Sequence, residues 1–450
     1  MSRDGPHTMH RPPDRGHAVV VGAGMAGLCF ARVLADTFDH VTVVDRDRLT
    51  GEARPRRGVP QGRHVHPLLP AGVEALERLF PGLGAELGDA GAHAIPTEQV
   101  RLCLNGYRLA PGRTARPEIS ASRPLLEAAV AARVRAHPCV ELRDGVETLG
   151  LVADPGGRRV TGIRVRPRVE ERAADTLDGD LVVDCSGRRS RAPAWLEELG
   201  YAPPPVERVD VDLRYATRRY RLPADVLDGD RHLLVGPMPD RAAGGVLLAV
   251  EDGVWLATLF GLRDVRPSMT SDDFAAFASR LAVPDLREAL RVGTPLDAPA
   301  GYRFPAELRR RYDRLDALPA GLLVAGDAVS SFNPIYGQGM TIGALEALQL
   351  RELLTSGVPH PQRWYSTITP IVDVAWELAV GADLAIPSVP GRRTLATRLR
   401  QAYLRSFQAA ACRDPRLTAR FWRVAGLVDP PAELVRPAAL ARVARGRLRR

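Results

Sequence analysis

Three glycines, Gly22, Gly24 and Gly27, follow the apolar run 17–21, and an acid, Asp45, closes the next valine-rich run. Strand, glycine turn, helix, strand and terminal acid occur in that order, with the acid roughly twenty residues after the glycines, as dinucleotide binding requires. Gly22 would make the tight turn, Gly24 would let backbone approach a pyrophosphate, and Gly27 would let the next helix pack closely on the strand. That helix, expected over residues 28–36 with Met25 and Ala26 in the turn that feeds it, aims roughly half an elementary charge and its free N–H groups at the phosphates. Asp45, with Arg46 beside it, would accept from the adenosine ribose hydroxyls and disfavour a 2′-phosphate.

A second strand-turn-helix unit occupies residues 322–350. A hydrophobic strand ends at Gly326-Asp327, and the turn Asn333-Pro334-Ile335-Tyr336-Gly337-Gln338-Gly339-Met340 opens a long helix. An ordinary loop-helix junction would read the same way locally. Nicotinamide dehydrogenases of ordinary architecture need no second anion site, whereas a flavin does. Asp327 suits its ribityl hydroxyls, and the N–H groups of Gly339 and Met340 can face the ring edge that carries negative charge on reduction.

Composition limits the other chemistries. The chain has 450 residues, enough for a large core divided among about two or three domains. Its net charge of +9 invites nucleic acid or an anionic surface, but basic residues alternate with Asp and Glu, as on a solvated face. No lysine occurs, so all 62 basic side chains are arginines and a catalytic lysine is excluded. No run reaches the roughly eighteen apolar residues of an integral membrane segment, and the start of the chain lacks the apolar core of a signal peptide. The first sixteen residues read as a loose tail. Cys29, Cys103, Cys139, Cys185 and Cys412 are odd in number and lack CxxC spacing, which reads as reduced, cytoplasmic thiols. His64 and His66, two apart with no third ligand, make a poor metal site.

The elements that must position these residues follow from turn chemistry and periodicity. An Arg, Gly and Pro-rich loop covers residues 54–70, a helix is expected over 70–87, and Ser122 should cap a helix running to about His137. The run 181–184 reads as a buried parallel strand. From 206 to 263 the polarity alternates, predicting a sheet with one wet or ligand-facing side, and Asp252-Gly253 predicts a hairpin between 246–250 and 254–260. The last ninety or so residues read as Arg-rich helices that cap the flavin domain rather than lie on a membrane.

The segments Arg57-Gly58-Val59-Pro60-Gln61-Gly62-Arg63-His64-Val65-His66, Asp184-Cys185-Ser186-Gly187-Arg188-Arg189-Ser190 and 326–340 resemble the FAD-dependent monooxygenase superfamily of p-hydroxybenzoate hydroxylase and squalene epoxidase. The resemblance is closest to the bacterial branch of polyether-pathway epoxidases and spans roughly residues 17–440. It implies an α/β fold: a Rossmann-like FAD-binding domain of the glutathione-reductase type (17–200 and 301–360), an inserted antiparallel-sheet substrate domain (201–300) and a helical C-terminal region (361–450). It places Gly22, Gly24, Met25, Ala26, Gly27, Asp45 and Arg46 around ADP, Arg123 near the pyrophosphate or ribose, Gly326 and Asp327 on the ribityl side, and Gly337, Gly339 and Met340 under the isoalloxazine. Gln61 and His64 would line the flavin.

The implied activity is insertion of one oxygen atom from O₂, through a flavin C4a-hydroperoxide, into a small hydrophobic secondary-metabolite intermediate of polyketide or terpenoid type, by epoxidation or hydroxylation. Catalysis would be flavin-centred, with Gln61, His64, Pro334 and Tyr215 as candidate contributors. FAD is the implied cofactor, with NAD(P)H as a transient donor or a separate flavin reductase as electron source. Ser186-Gly187 stands where aromatic hydroxylases carry Asp-Gly, a departure that weakens the case for direct NADPH recognition. A double-bond reductase or dehydrogenase, and a flavin-binding protein without turnover, share the same frame. Flavin-dependent halogenation is set aside, because its lysine is missing and no Trp-x-Trp-x-Ile-Pro pattern occurs.

Overall fold

The computed structural model describes residues 16–168 and 173–448. The tail expected over the first sixteen residues therefore lies, but for Gly16, outside the described residues. Apolar runs without polar alternation are buried on both faces, as strands inside a parallel sheet must be. His17–Val21 (β1), His40–Asp45 (β2), Val140–Asp144 (β3), Leu181–Asp184 (β4) and Leu322–Val324 (β5) form a parallel sheet in the order β5-β4-β1-β2-β3, in which only the edge strand β3 alternates in polarity and is partly exposed. β1, β4 and β5 run out at Gly22, Cys185 and Ala325, one edge of the sheet, where ligands of open α/β folds bind. Three helices matter there: Met25–Ala35 (α1), Gln338–Leu354 (α2) and Pro361–Asp383 (α3).

The second sheet has eight strands built around Leu213–Arg221, Trp255–Leu262, Ala243–Ala249 and His232–Val235. Its hairpin turns where expected: Ala249 lies opposite Trp255, the Val250 N–H donates to the Val254 carbonyl at 2.8 Å, and the three-residue loop between them reverses through Asp252 and Gly253, both left-handed. Val100–Leu104 extends the sheet by pairing in parallel with His232–Val235.

Of the two alternatives that alternation leaves, a wet or a ligand-facing side, the wet one is not seen among the described residues. Leu213 and Tyr215 pack with Phe407, Leu417 and Trp422 of the C-terminal helices, while Ala216 and Tyr220 pack with Phe274, Leu286 and Leu290. Two further expectations change. The helix over 70–87 breaks into Pro70–Leu79 and Leu83–Asp89, because Gly82 turns left-handed between them. The alternating run from Val206 splits at Asp212, also left-handed, so Val206–Val209 pairs with Glu307–Arg310 in a separate small sheet. Among the described residues no helix is long and apolar enough to cross a membrane.

Candidate active site

The first glycine turn is closed by contacts that exclude side chains. Gly22 sits at φ +100°, and a Cβ there would meet the Cys185 carbonyl oxygen at 2.6 Å; one at Gly27 would meet the Gly22 carbonyl oxygen at 1.8 Å. Gly24 differs, because a Cβ there would find nothing within 4 Å. The turn thus packs its outer glycines and opens the middle one, the shape a bound group could fill. Asp45 is fastened into the same turn: its carboxylate accepts the Ala23 N–H at 2.6 Å and the Asp47 N–H at 2.8 Å. Arg56 donates to the Ala23 carbonyl and to Glu127, which Arg123 also holds, at 2.8 Å. Burial would raise the Glu127 carboxyl, yet Arg123 and Arg56 keep it below its ordinary value. Beyond this cluster opens a cavity of about 590 Å³ lined by Ala23, Arg46, Asp47, Arg56, Glu127 and Arg135.

The second turn lies directly against the first. A Cβ on Gly326 would stand 3.1 Å from that of Ala26, and one on Gly343 2.8 Å from it, so α1 and α2 cross where only small residues fit. The Gly326 N–H donates to Glu346 at 2.6 Å, and burial, with Asp327 nearby, pushes the Glu346 carboxyl up to about 8 against the pull of that N–H. Asp327 makes no hydrogen bond to the described residues. Burial raises its carboxyl while Arg123, Arg188 and Arg310 pull it down. Gly339 lies beside it, since a Cβ there would be 3.4 Å from Asp327 Oδ1. Gly337, left-handed at φ +67°, starts α2. The N–H groups of Gln338, Gly339 and Met340 fall in the first turn, which has no acceptors within the helix.

Aromatic side chains adjoin this space from the second sheet. His64 meets Tyr215 edge-on with ring centroids 4.5 Å apart, and Tyr215 lies 5.3 Å from Tyr302. Tyr302 feels the charges of Asp327 and Arg188, while Tyr215 feels Arg123, which ties the aromatic group to the second turn. Nδ1 of His64 bonds the Thr217 hydroxyl at 2.7 Å, which in turn bonds Thr258 at 2.6 Å. Burial and Arg63 push His64 down to about 3, so the imidazole is neutral at any working pH. Burial holds the Tyr215 phenol far above its usual value, and its hydroxyl has no partner among the described residues.

The fold therefore brings together Gly22 to Gly27, Asp45, Arg123, Gly326, Asp327, Gly337, Gly339, Met340, His64 and Tyr215. Gln61 occupies the short helical turn before His64 and accepts the His64 N–H at 3.0 Å; Pro334 opens the turn that ends at Gly337. Arg46 lines the cavity at the Asp45 end. Sequence reasoning missed Arg56, Glu127, Tyr302 and Glu346. Only Glu346 carried a signal, a lone acid in the apolar run 340–350.

A family model described as an NAD(P)-binding Rossmann-like domain matches residues 20–77. Protein Rv3254 of Mycobacterium tuberculosis (strain ATCC 25618 / H37Rv) is 38% identical over 350 residues, 75% of this chain and 73% of that protein. Kynurenine 3-monooxygenase of Salinispora arenicola (strain CNS-205) is 28% identical over 367 residues, 78% of this chain and 74% of that one. Among solved structures, the flavin-dependent brominase Bmp2 superposes with a TM-score of 0.68 at 15% identity, covering 96% of this chain and 99% of its own. At that identity the likeness speaks for the fold and not for the reaction.

Proposed function

We propose, on the premise that this chain belongs to the family of Protein Rv3254 within the FAD-dependent monooxygenase superfamily, that it binds FAD across the two glycine turns and transfers one oxygen atom from O₂ to a small hydrophobic substrate. The observation that carries this reading is the contact of Ala26 with Gly326 and Gly343, which puts two strand-turn-helix cradles, separated by some three hundred residues of sequence, around one space. The residues fit the group: Gly24 leaves room where backbone must approach a pyrophosphate, and Asp327 is an acid with its hydrogen-bonding capacity unspent beside the α2 N-terminus. Gly22, Met25, Ala26 and Gly27 with the α1 N-terminus would hold the pyrophosphate, Asp45 and Arg46 the adenosine end, and Arg123 and Asp327 the ribityl chain. Gly337, Gly339 and Met340 would face the ring.

FAD, when bound, supplies the activation of O₂. The chain has to orient the substrate, place N–H dipoles where negative charge develops and exclude water. Tyr215 and Tyr302 offer aromatic faces for an apolar substrate, with the unpartnered Tyr215 hydroxyl free to donate to it. His64 is neutral and tied to Thr217, so it orients rather than protonates. With His64 so weakly basic and the Tyr215 phenol held protonated, neither is a strong base near neutral pH, which favours oxygen transfer to a carbon-carbon double bond over hydroxylation of a phenol that must first ionise. NAD(P)H, bound transiently, or a flavin reductase would supply the electrons.

The test is reconstitution with FAD followed by turnover under ¹⁸O₂ against a panel of polyketide and terpenoid-like intermediates. One labelled oxygen per product supports the proposal. Protein that takes up no FAD, or that reoxidises reduced flavin without labelling any product, overturns it, and product formed equally well without O₂ selects double-bond reduction instead.

A further inference from the structure

Below the turn that starts α2 lies a group of four polar side chains, three of them buried and Tyr336 half-buried, none of them needed by the reading above. Asn333 is fully buried, and its backbone N–H donates to Glu307 at 3.2 Å. Its side-chain NH₂ donates to both carboxylate oxygens of Asp383, at 2.9 and 3.1 Å, and its side-chain oxygen accepts the Ile335 N–H at 3.2 Å. Tyr336, three residues on, donates its hydroxyl to the same Asp383 at 2.7 Å. Asp383 is the last residue of α3, so the C-terminal helical region reaches back and grips both ends of the 333–337 turn. The second oxygen of Glu307 is buried and has no partner among the described residues.

Burying two acids and an amide is less favourable than anchoring a turn with apolar side chains of the same size. What the polar clamp adds is direction: each bond fixes an angle as well as a distance. The backbone it orients leads, through the left-handed Gly337, into the free N–H groups of Gly339 and Met340. Pro334 contributes no N–H of its own, so the turn takes its orientation from Asn333 and Tyr336.

We propose that Asp383 and Glu307 are positioning residues that, through Asn333 and Tyr336, hold the 333–337 turn rigid, so that the Gly339 and Met340 N–H groups are aimed at the flavin edge where negative charge appears on reduction. This rests on FAD binding as argued above. Preorganised donors favour the reduced, anionic ring over the oxidised one, and donors on a loosened turn do so less.

The experiment measures the midpoint potential and visible spectrum of bound FAD in the full-length protein carrying Tyr336→Phe or Asp383→Ala. Tyr336→Phe leaves the Asp383 side chain and its charge in place, so it reads the clamp without a change of charge. Tyr336→Phe removes one arm and keeps the ring; Asp383→Ala removes the grip on both ends. The expected result for Tyr336→Phe is a roughly tenfold loss of preference for reduced over oxidised FAD, about 30 mV for a two-electron couple, with an altered visible band shape, alongside the modest fall in melting temperature that losing one hydrogen bond to Asp383 brings. Asp383→Ala should shift the potential further in the same direction; if it does not fold, Tyr336→Phe alone decides. FAD-loaded Tyr336→Phe with the wild-type potential and spectrum overturns the clamp while leaving FAD binding intact, whereas wild-type protein that takes up no FAD overturns both.

Discussion

Gly343 and Ala26 touch where α2 crosses α1, so closely that a methyl group on Gly343 would lie 2.8 Å from the Ala26 Cβ. The contact joins the helices that open the two glycine turns, and it sets how far apart the turns stand. Gly343→Val should push the helices apart at a cost of about 1–3 kcal/mol, the usual range for overpacking. Thermal unfolding and FAD titration of the variant check this: both stability and FAD occupancy should fall, and a variant matching the wild type in both would remove the crossing as the determinant.

Gly24 and Gly27 belong to one turn but should fail differently. Gly24 has ordinary backbone angles, φ −75° and ψ 178°, and open space around it, so Gly24→Val should leave apoprotein stability within about 0.5 kcal/mol. FAD affinity should drop by about a hundredfold, near 2.7 kcal/mol. Gly27→Val, facing a carbonyl oxygen at 1.8 Å, should lose the fold itself. Equal melting temperatures for the two apoproteins would contradict the geometry.

The Tyr215 hydroxyl has no protein partner to lose. Tyr215→Phe should therefore unfold within about 0.5 kcal/mol of the wild type and bind FAD equally well. With a product in hand, the variant should release more hydrogen peroxide per NAD(P)H consumed, because substrate is held less well. A clear drop in melting temperature would instead assign the hydroxyl a structural bond.

Glu346 makes stability depend on pH. Its carboxyl sits near 8 in the folded chain and near 4.5 in the unfolded one, so between those values the folded state holds the extra proton. Stability attributable to this group is then greatest below about pH 4.5, falls as pH rises, and is level again above about pH 8, with a slope of up to about 1.4 kcal/mol per pH unit. Glu346→Gln has nothing to titrate and can still accept the Gly326 N–H. Denaturant unfolding of the two apoproteins at pH 5, 6.5 and 8 should show the variant gaining on the wild type as pH rises; a constant difference would refute the assignment.

Burial raises the thiols of Cys29, Cys103 and Cys185, and no cysteine is paired in a disulfide. Native protein should release the fast colour of a thiol reagent from at most Cys139 and Cys412, which are partly exposed, and from all five only after denaturation. Fast modification of Cys185 would contradict its burial at the end of β4.

Features set by neighbours in the chain were legible. Glycines needing left-handed or crowded backbone marked Gly22, Gly27 and Gly337, the Asp252-Gly253 pair marked a hairpin, and Ser122 does cap its helix by accepting the Leu125 N–H at 3.3 Å. Continuous apolar runs declared the parallel strands because such strands are buried on both faces. Alternation left open whether one side of the second sheet faces water or a ligand; that helices cover it is a matter of what packs against a strand and not of the strand's own residues.

The two glycine turns, with the chemistry their residue types allow, are written in the amino-acid order, because turn geometry and helix N-termini depend on a few adjacent residues. That the turns face each other, that Tyr302 joins His64 and Tyr215, and that Asp383 holds Asn333 and Tyr336 were decided only by the tertiary structure. These contacts link residues tens to hundreds of positions apart, and such pairings arise from packing whole elements together, which leaves no local pattern to read.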